Sequence, residues 1–331
     1  MRIFKTLIAV ALLFPTSLLS AETLTIYSSR NEELIKPVLD AFTKETGIKV
    51  NLYSGKAGLL SQKILSEGKN TPADVLLTVD AGNLWNAKEI GILQSIKSDS
   101  LEKNIASHYR DSEGYWYGLS LRGRTIVYSP QRVKKGELIS YEDLSSPKWK
   151  GRLCLRTSKK VYNQSLVAML IKEHGNKKAQ GVVEGWVSNL ATGVFTNDTK
   201  VIMAVDAGVC DVGIVNTYYF GRAVKKNPEL KAKLFWPNQN DTGLHVNISG
   251  GGVVKYSKNK KSAISFLEFV SSEKAQSLFA SLNMEYPVNK SVKPDQFVQS
   301  WGVPKMSSLP VEYAGKLQGE SIKLMDRAKY K

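Results

Sequence analysis

One stretch decides the fold: Cys210-Asp211-Val212-Gly213-Ile214-Val215, followed directly by Asn216-Thr217-Tyr218-Tyr219-Phe220-Gly221-Arg222. The first part is short, apolar and rich in β-branched residues, which predicts a buried strand. The second part places two adjacent tyrosines just past the end of that strand, where α/β folds bind their ligands. Two phenols at a strand-to-helix turn form a pair of oxygen donors. The alternative is that they are ordinary half-buried aromatic side chains.

The chain before this stretch alternates between strand and helix patterns. Strands are predicted at residues 23–27, 48–53 and 73–79, and an amphipathic helix at residues 31–46 ends at Gly47. A β-α-β-α-β order of this kind predicts a parallel sheet that is flanked by helices.

Two further segments predict passages between two such units. Residues 115–128 read as two strands with a crossing point between them, and residues 247–254 contain three consecutive glycines and read as the return crossing. A helix is predicted from Tyr162 to about His174, where Gly175 follows and where His174 is expected to cap the helix end.

The N-terminus has the pattern of a secretory signal peptide. Residues 1–5 carry Arg2 and Lys5, residues 6–14 are mostly apolar, and small residues follow up to Ala21. A transmembrane anchor needs about 20 apolar residues, and this run is shorter. We therefore expect residues 1–21 to be removed, with cleavage near residues 20–21, and the protein to be exported.

The two cysteines, Cys154 and Cys210, fit an exported protein with one disulfide bond. The alternative is a pair of separate buried thiols.

The net charge of +16 raises the question of nucleic-acid binding. The basic residues are spread along the whole chain without an aromatic-interleaved RNA motif, and export removes nucleic acid from reach. We also predict no enzyme. The three histidines (His108, His174 and His245) lack metal-ligand spacing, and no Gly-x-Ser-x-Gly sequence occurs.

Six motifs in order resemble those of the bacterial periplasmic ferric-ion-binding proteins of iron-uptake ABC transporters, in particular the FutA-like subgroup. They lie at residues 27–30, 72–85, 146–151, 162–166, 216–219 and 285–289. The resemblance implies an α/β, two-lobed periplasmic-binding-protein fold of type II, with crossing hinge strands between the lobes. It further implies a metal site in the interlobe cleft, closure by hinge motion, a monomer, and an inner-membrane ABC permease as partner.

The same resemblance implies a division of the chain. Residues 22–121 and 247–298 would form the N-lobe, residues 122–246 the C-lobe, and residues 299–331 a helical segment that packs on the C-lobe.

The family holds ferric iron with tyrosinates, and the matching positions here are Tyr162, Tyr218 and Tyr219. Fe(III) is a hard, highly charged ion that favours anionic oxygen over thiolate or imidazole. Arg122 and Arg222 match arginines that surround the family's ligands, and positive charges there would favour the phenolate form. The alternative for both arginines is an ordinary ion pair.

One departure from the family pattern affects the N-lobe ligand. A His-Tyr pair is usual after the first strand, and this chain has Asn31 and Glu32 instead. Glu32 could replace the missing phenol as a hard carboxylate. Alternatively, Glu32 is a solvated acid stabilised at a helix start, and water, carbonate or another anion completes the shell.

The sequence therefore predicts a periplasmic Fe(III)-binding protein that delivers iron to a permease. The alternative is the same fold with a small organic anion or a polyamine as ligand and with the tyrosines as an aromatic wall.

Overall fold

The structure is a computed structural model that describes residues 22–331. The predicted signal peptide, residues 1–21, lies outside the described residues. Eight strands are present in this part of the chain: β1 (Thr23–Ser28), β2 (Lys49–Ser54), β3 (Val75–Val79), β4 (Tyr117–Tyr128), β5 (Leu153–Cys154), β6 (Val212–Asn216), β7 (Lys233–Phe235) and β8 (Val246–Val253).

Twelve α-helices accompany the strands in residues 22–331: α1 (Glu32–Thr46), α2 (Ala57–Glu67), α3 (Ala81–Glu89), α4 (Asp99–Asn104), α5 (Val161–Ser188), α6 (Asp198–Asp206), α7 (Thr217–Lys226), α8 (Lys260–Ser271), α9 (Glu273–Asn283), α10 (Gln296–Gln299), α11 (Tyr313–Lys316) and α12 (Gln318–Arg327). Among the described residues, no helix combines the length and the apolar composition that a membrane span requires.

The strands connect in the order β2-β1-β3-β8-β4-β6-β5, and β7 also pairs with β4. β1 pairs in parallel with β2 and β3, as the alternating pattern predicts. β8 lies between β3 and β4 and pairs antiparallel with both.

β4 is one continuous strand where the sequence predicted two. Its residues from Tyr117 to Gly123 pair with β8, and those from Arg124 to Tyr128 pair with β6 and β7. The predicted crossing point is therefore a change of partner at Gly123 and Arg124 within an unbroken strand. A Cβ atom on Gly123 would lie 2.7 Å from the Leu244 side chain and 3.2 Å from that of Thr217, so glycine lets both side chains pack closely against the strand at this point.

Apolar side chains gather into separate cores on the two sides of this change. One core contains residues between Leu24 and Leu121, residues from Val246 onward and, from across the change of partner, Tyr218. Two other cores pack around the part of the sheet that contains β5, β6 and the end of β4, and they include residues such as Ile126, Trp149 and Val215. The predicted two-lobed α/β architecture is confirmed.

The C-terminal residues contact both lobes. Val311 and Ala314 belong to the core of the first lobe, whereas Leu324 and Met325 in α12 belong to the core of the second. The division of the chain at residues 121, 246 and 298 stays a prediction.

The predicted disulfide between Cys154 and Cys210 is confirmed, with the sulfurs 2.05 Å and the Cα atoms 5.9 Å apart. It joins the end of β5 to the residues just before β6, and β5 and β6 are parallel neighbours. The bond therefore fixes two strands that lead toward the tyrosine-bearing helices α5 and α7.

Candidate metal centre

Two helix starts bring the three predicted tyrosines together. Tyr162 is the second residue of α5, and Tyr218 and Tyr219 lie in the first turn of α7, directly after β6. The Tyr218 hydroxyl donates a hydrogen bond to the Tyr162 hydroxyl at 3.3 Å. The rings of Tyr218 and Tyr219 stack at a tilt of 32°, with their centroids 4.5 Å apart.

Tyr162 and Tyr218 are buried, and Tyr219 is half-buried. Burial, and then the adjacent Tyr162, raise the pKa of Tyr218 well above its ordinary value, while Arg122 opposes that rise. Without a cation, the Tyr218 phenol therefore keeps its proton.

Several cationic side chains surround the phenol rings. The guanidinium carbons of Arg122 and Arg156 lie 5.6 and 5.5 Å from the Tyr162 ring centroid, and Lys160 Nζ lies 4.7 Å from it. Arg222 lies over the Tyr218 ring at 5.1 Å. Positive charge at these distances stabilises a phenolate.

Arg156 and Lys160 were missed by the sequence reasoning. They lie in the loop between β5 and α5, which carries no motif. The available signal was the density of basic residues just before Tyr162, at positions 156, 159 and 160.

A buried polar network holds the two helix starts against each other. Arg124 donates to Asp198 Oδ2 at 3.1 Å, to Asn216 Oδ1 at 2.9 Å and to Asn163 Oδ1. Asp198 also pairs with Arg156 at 3.3 Å. Because Asn163 follows Tyr162 and Asn216 precedes α7 by one residue, Arg124 links the two backbone segments that carry the phenols.

The first lobe contributes a second layer of charge. Arg30 pairs with Glu285 at 3.3 Å, and the Ser120 hydroxyl donates to Glu285 at 2.5 Å. Burial alone raises the pKa of Glu285, but Arg30 and Arg122 hold it below its usual range. Burial likewise lowers the pKa of Arg122, yet the nearby acidic groups of Tyr162, Glu285, Tyr218 and Asp80 raise it above its ordinary value. Arg122 therefore stays charged beside the tyrosines. Burial lowers the pKa of Arg30, and the paired Glu285 opposes that shift.

A direct contact between the lobes lies near these groups. Asp80, the residue before α3, accepts hydrogen bonds from the Ser165 hydroxyl at 2.9 and 3.1 Å and from Asn247 Nδ2 at 2.7 Å. Ser165 belongs to α5, one turn after Tyr162.

Asn31 and Glu32 do not join this cluster. Asn31 Oδ1 accepts from the Glu33 backbone amide at 3.1 Å and so caps α1. Glu32 is exposed in the first turn of α1, where it lines a surface groove with Lys36 and Asp40. Within residues 22–331, no hydrogen bond or ion pair connects either side chain to the tyrosines.

The arrangement suits a small, hard, highly charged cation. Two phenol oxygens in contact and a third phenol beside them can supply up to three negative charges. The Arg30–Glu285 pair of the other lobe lies near Arg122, which contacts the Tyr162 ring.

Comparison with known proteins agrees with this description. Residues 70–300 match the family described as bacterial extracellular solute-binding protein. The chain is 43% identical over 316 residues to iron uptake protein A1 of Synechocystis sp.. The match covers 94% of this chain and 88% of that protein.

Solved structures are similar over nearly the whole chain. A Trichodesmium FutA structure in complex with iron and citrate is 46% identical, with a TM-score of 0.90, and the match covers 93% of this chain and 100% of that one. The open form of ferric iron-binding protein A from Mannheimia haemolytica is 38% identical, with a TM-score of 0.89 and coverage of 94% and 99%. These likenesses confirm the predicted type II fold. The chain belongs to the bacterial extracellular solute-binding proteins and, among them, to the iron uptake and ferric-ion-binding group.

Proposed function

We propose that this protein captures Fe(III) in the periplasm through Tyr162, Tyr218 and Tyr219 and delivers it to an inner-membrane ABC permease. The observation that carries the proposal is the 3.3 Å contact between the phenol oxygens of Tyr162 and Tyr218, with Tyr219 stacked beside them. Its relatives, named for iron uptake and ferric iron binding, support the same cargo. The protein acts as a monomeric carrier and not as an enzyme.

The separation of the oxygens supports joint ligation of one ion. Adjacent ligand oxygens of a small octahedral cation, with bonds of about 2.0–2.1 Å, lie about 2.9 Å apart. The two phenols need to approach by only a few tenths of an ångström from 3.3 Å.

Charge balance gives the arginines their role. Three phenolates neutralise the three charges of Fe(III), and each phenol releases a proton when it binds. Arg122, Arg156 and Arg222 lower the cost of that release before the ion arrives. Because protons compete with iron at the phenols, the affinity falls as pH falls.

Three tyrosines leave part of the shell to other donors. We propose that water or a small anion, such as carbonate or citrate, fills these positions in place of Glu32, which is exposed on α1. Arg30 and Arg122 support an anion there, because both are buried and their Nε atoms have no hydrogen-bond partner among the described residues. The presence of citrate in the Trichodesmium structure motivates the choice.

The test is the colour of the iron complex. Adding ferric iron to the purified protein is expected to give a red-orange band from phenolate-to-iron charge transfer, and Tyr218→Phe combined with Tyr219→Phe should abolish it. Tyr128→Phe serves as the matched control, because Tyr128 lies at the far end of β4 against Phe235. Full colour in the double variant, or saturable binding of a polyamine together with no binding of iron, would overturn the proposal.

A further inference from the structure

A second cluster of metal-ligating side chains lies in the second lobe. His174 Nε2 is 2.7 Å from Glu142 Oε1 and 3.8 Å from Glu173 Oε2. One ligand atom from each of these three residues lies within 4.8 Å of the other two. All three side chains are mostly buried, with exposed fractions of 18% for Glu142, 11% for Glu173 and 13% for His174.

The backbone holds these residues at two defined points. Glu142 opens a short 3-10 turn, Glu142–Ser145, and Glu173 and His174 precede the break in α5 at Gly175. His174 is 12 residues from Tyr162 on the same helix, which corresponds to about 18 Å at 1.5 Å per residue. The cluster is therefore separate from the tyrosine site.

Further polar groups support the cluster. Asn238 Nδ2 donates to Glu142 Oε2 at 3.0 Å and orients the carboxylate, as residues outside a metal's ligand shell commonly do. Glu142 and His174 line an open cavity of about 530 Å³, which gives an ion a route of entry.

A buried imidazole behind the cluster provides an independent observation. His245 lines a second, smaller cavity together with Glu173, and it is only 5% exposed. Among the described residues its Nε2 has no hydrogen-bond partner. A polar atom buried without a partner is costly, and an ion or an ordered water beside it is one way to offset that cost.

We propose that Glu142, Glu173 and His174 form a second metal site, which binds a divalent transition ion of the zinc type. Two carboxylates neutralise a divalent charge, and imidazole selects transition ions over Mg²⁺ and Ca²⁺. Zinc bonds of about 2.0–2.2 Å in a tetrahedron place ligand atoms about 3.4 Å apart. The separations of 2.7 and 3.8 Å bracket that value. The cavity that Glu142 and His174 line has room for a water molecule as the fourth ligand.

Zn²⁺ and Co²⁺ are the probes for this site. The background is the Tyr218→Phe, Tyr219→Phe variant, so that the ferric site does not contribute. After treatment with EDTA, calorimetric titration is expected to show one Zn²⁺ per chain, and Co²⁺ should give visible d–d bands. Separate Glu142→Gln, Glu173→Gln and His174→Gln changes should each weaken Zn²⁺ binding at least tenfold.

The matched control is Glu184→Gln, which makes the same change at an exposed position of α5. It should leave Zn²⁺ binding unaltered. Far-UV circular dichroism identifies the variants that remain folded, and these decide the result. Absence of saturable Zn²⁺ binding in the background protein would overturn the proposal, as would unchanged binding in the folded Gln variants.

Discussion

At the scale of single residues, the tyrosine site depends on a carboxylate that touches none of the phenols. Asp198 is fully buried and pairs with both Arg124 and Arg156. Its Oδ2 also accepts the backbone amide of Asn216 at 2.8 Å. Two buried guanidinium groups next to a cation site would repel each other and the cargo, so a shared carboxylate between them is required.

A second buried group, His245, makes the fold sensitive to acid. Burial, and then the positive charge of Arg124, lower the pKa of His245 from 6.5 to about 3. The unfolded chain takes up a proton near pH 6.5, whereas the folded chain does not do so until about pH 3. The contribution of neutral His245 to the free energy of unfolding is therefore fully present above pH 6.5. It is lost as the pH falls from about 6.5 to about 3, by up to about 1.4 kcal/mol per pH unit.

We expect His245→Phe to remove this contribution. Urea unfolding at several pH values between 7 and 4, in the presence of EDTA, would show a shallower decline in the free energy of unfolding than in the parent protein. Parallel curves of the free energy of unfolding against pH, with only a constant offset from altered packing, would contradict the prediction.

The site residues divide into those that sequence reasoning can and cannot find. Tyr218 and Tyr219 were predictable because a strand and a helix that are adjacent in sequence fix their position. Arg156 and Glu285 were not identified as site residues, because their proximity to the tyrosines depends on loop paths and on packing between segments far apart in the chain.

At the scale of elements, α5 contains a break that its position in the fold requires. Gly175 has φ 75° and ψ 163°, a backbone conformation that is almost restricted to glycine. The residues before the break carry Tyr162 at one end and His174 at the other. The residues after it, up to Ser188, include Trp186 in the core of the second lobe.

Two alanine substitutions in this helix should have opposite effects. Gly175→Ala is expected to destabilise the protein by about 1–3 kcal/mol because of backbone strain. Gly181→Ala, at an ordinary helical position with open space around an added Cβ, should stabilise it by about 0.5–1 kcal/mol. Denaturant unfolding measures both changes. Equal changes in the free energy of unfolding at the two positions would show that the backbone conformation at position 175 does not favour glycine.

Most strands and helices followed from the sequence because burial imposes a periodic pattern on it. β1, β3 and α1 lie within a few residues of their predicted positions. Residues 115–128 were predicted as two strands with a crossing point between them, and the segment contains Gly118 and Gly123. In the structure these glycines allow close approach of Tyr109 and Leu244 without ending the strand. The partners of a strand depend on the whole sheet, so the sequence of the strand alone does not predict them.

At the scale of the whole molecule, the hydrogen bonds from Ser165 to Asp80 join the two lobes directly. The carboxylate of Asp80 is fully buried, and it keeps hydrogen bonds from Gly82 and Asn247 within its own lobe. The Ser165 hydroxyl is thus a link between the lobes that can be removed while the other two hydrogen bonds remain, and we expect it to favour closure of the cleft.

Ser165→Ala is expected to weaken closure by about 1 kcal/mol, the usual contribution of one hydrogen bond, and so to lower iron affinity about fivefold. Because no ligand is removed, the charge-transfer band should keep its position. Competition titration with a chelator measures the affinity. The control is Ser277→Ala, whose hydroxyl donates only to Glu273 in its own helix. Unchanged affinity would argue against the link, and a shifted band would place Ser165 in direct contact with the iron.

The path of the chain through β4 and β8 also governs how the protein can be divided. Gly123 and Val246 are cross-strand partners at the point where the polypeptide leaves the first lobe and comes back to it. A single cleavage of the chain between Gly123 and Val246 should not release either lobe, because β8 still pairs with both β3 and β4. A short artificial bridge from Gly123 to Val246 would bypass residues 124–245, which carry Tyr162, Tyr218 and Tyr219. The α12 residues of the second-lobe core, such as Leu324, would stay with the first lobe.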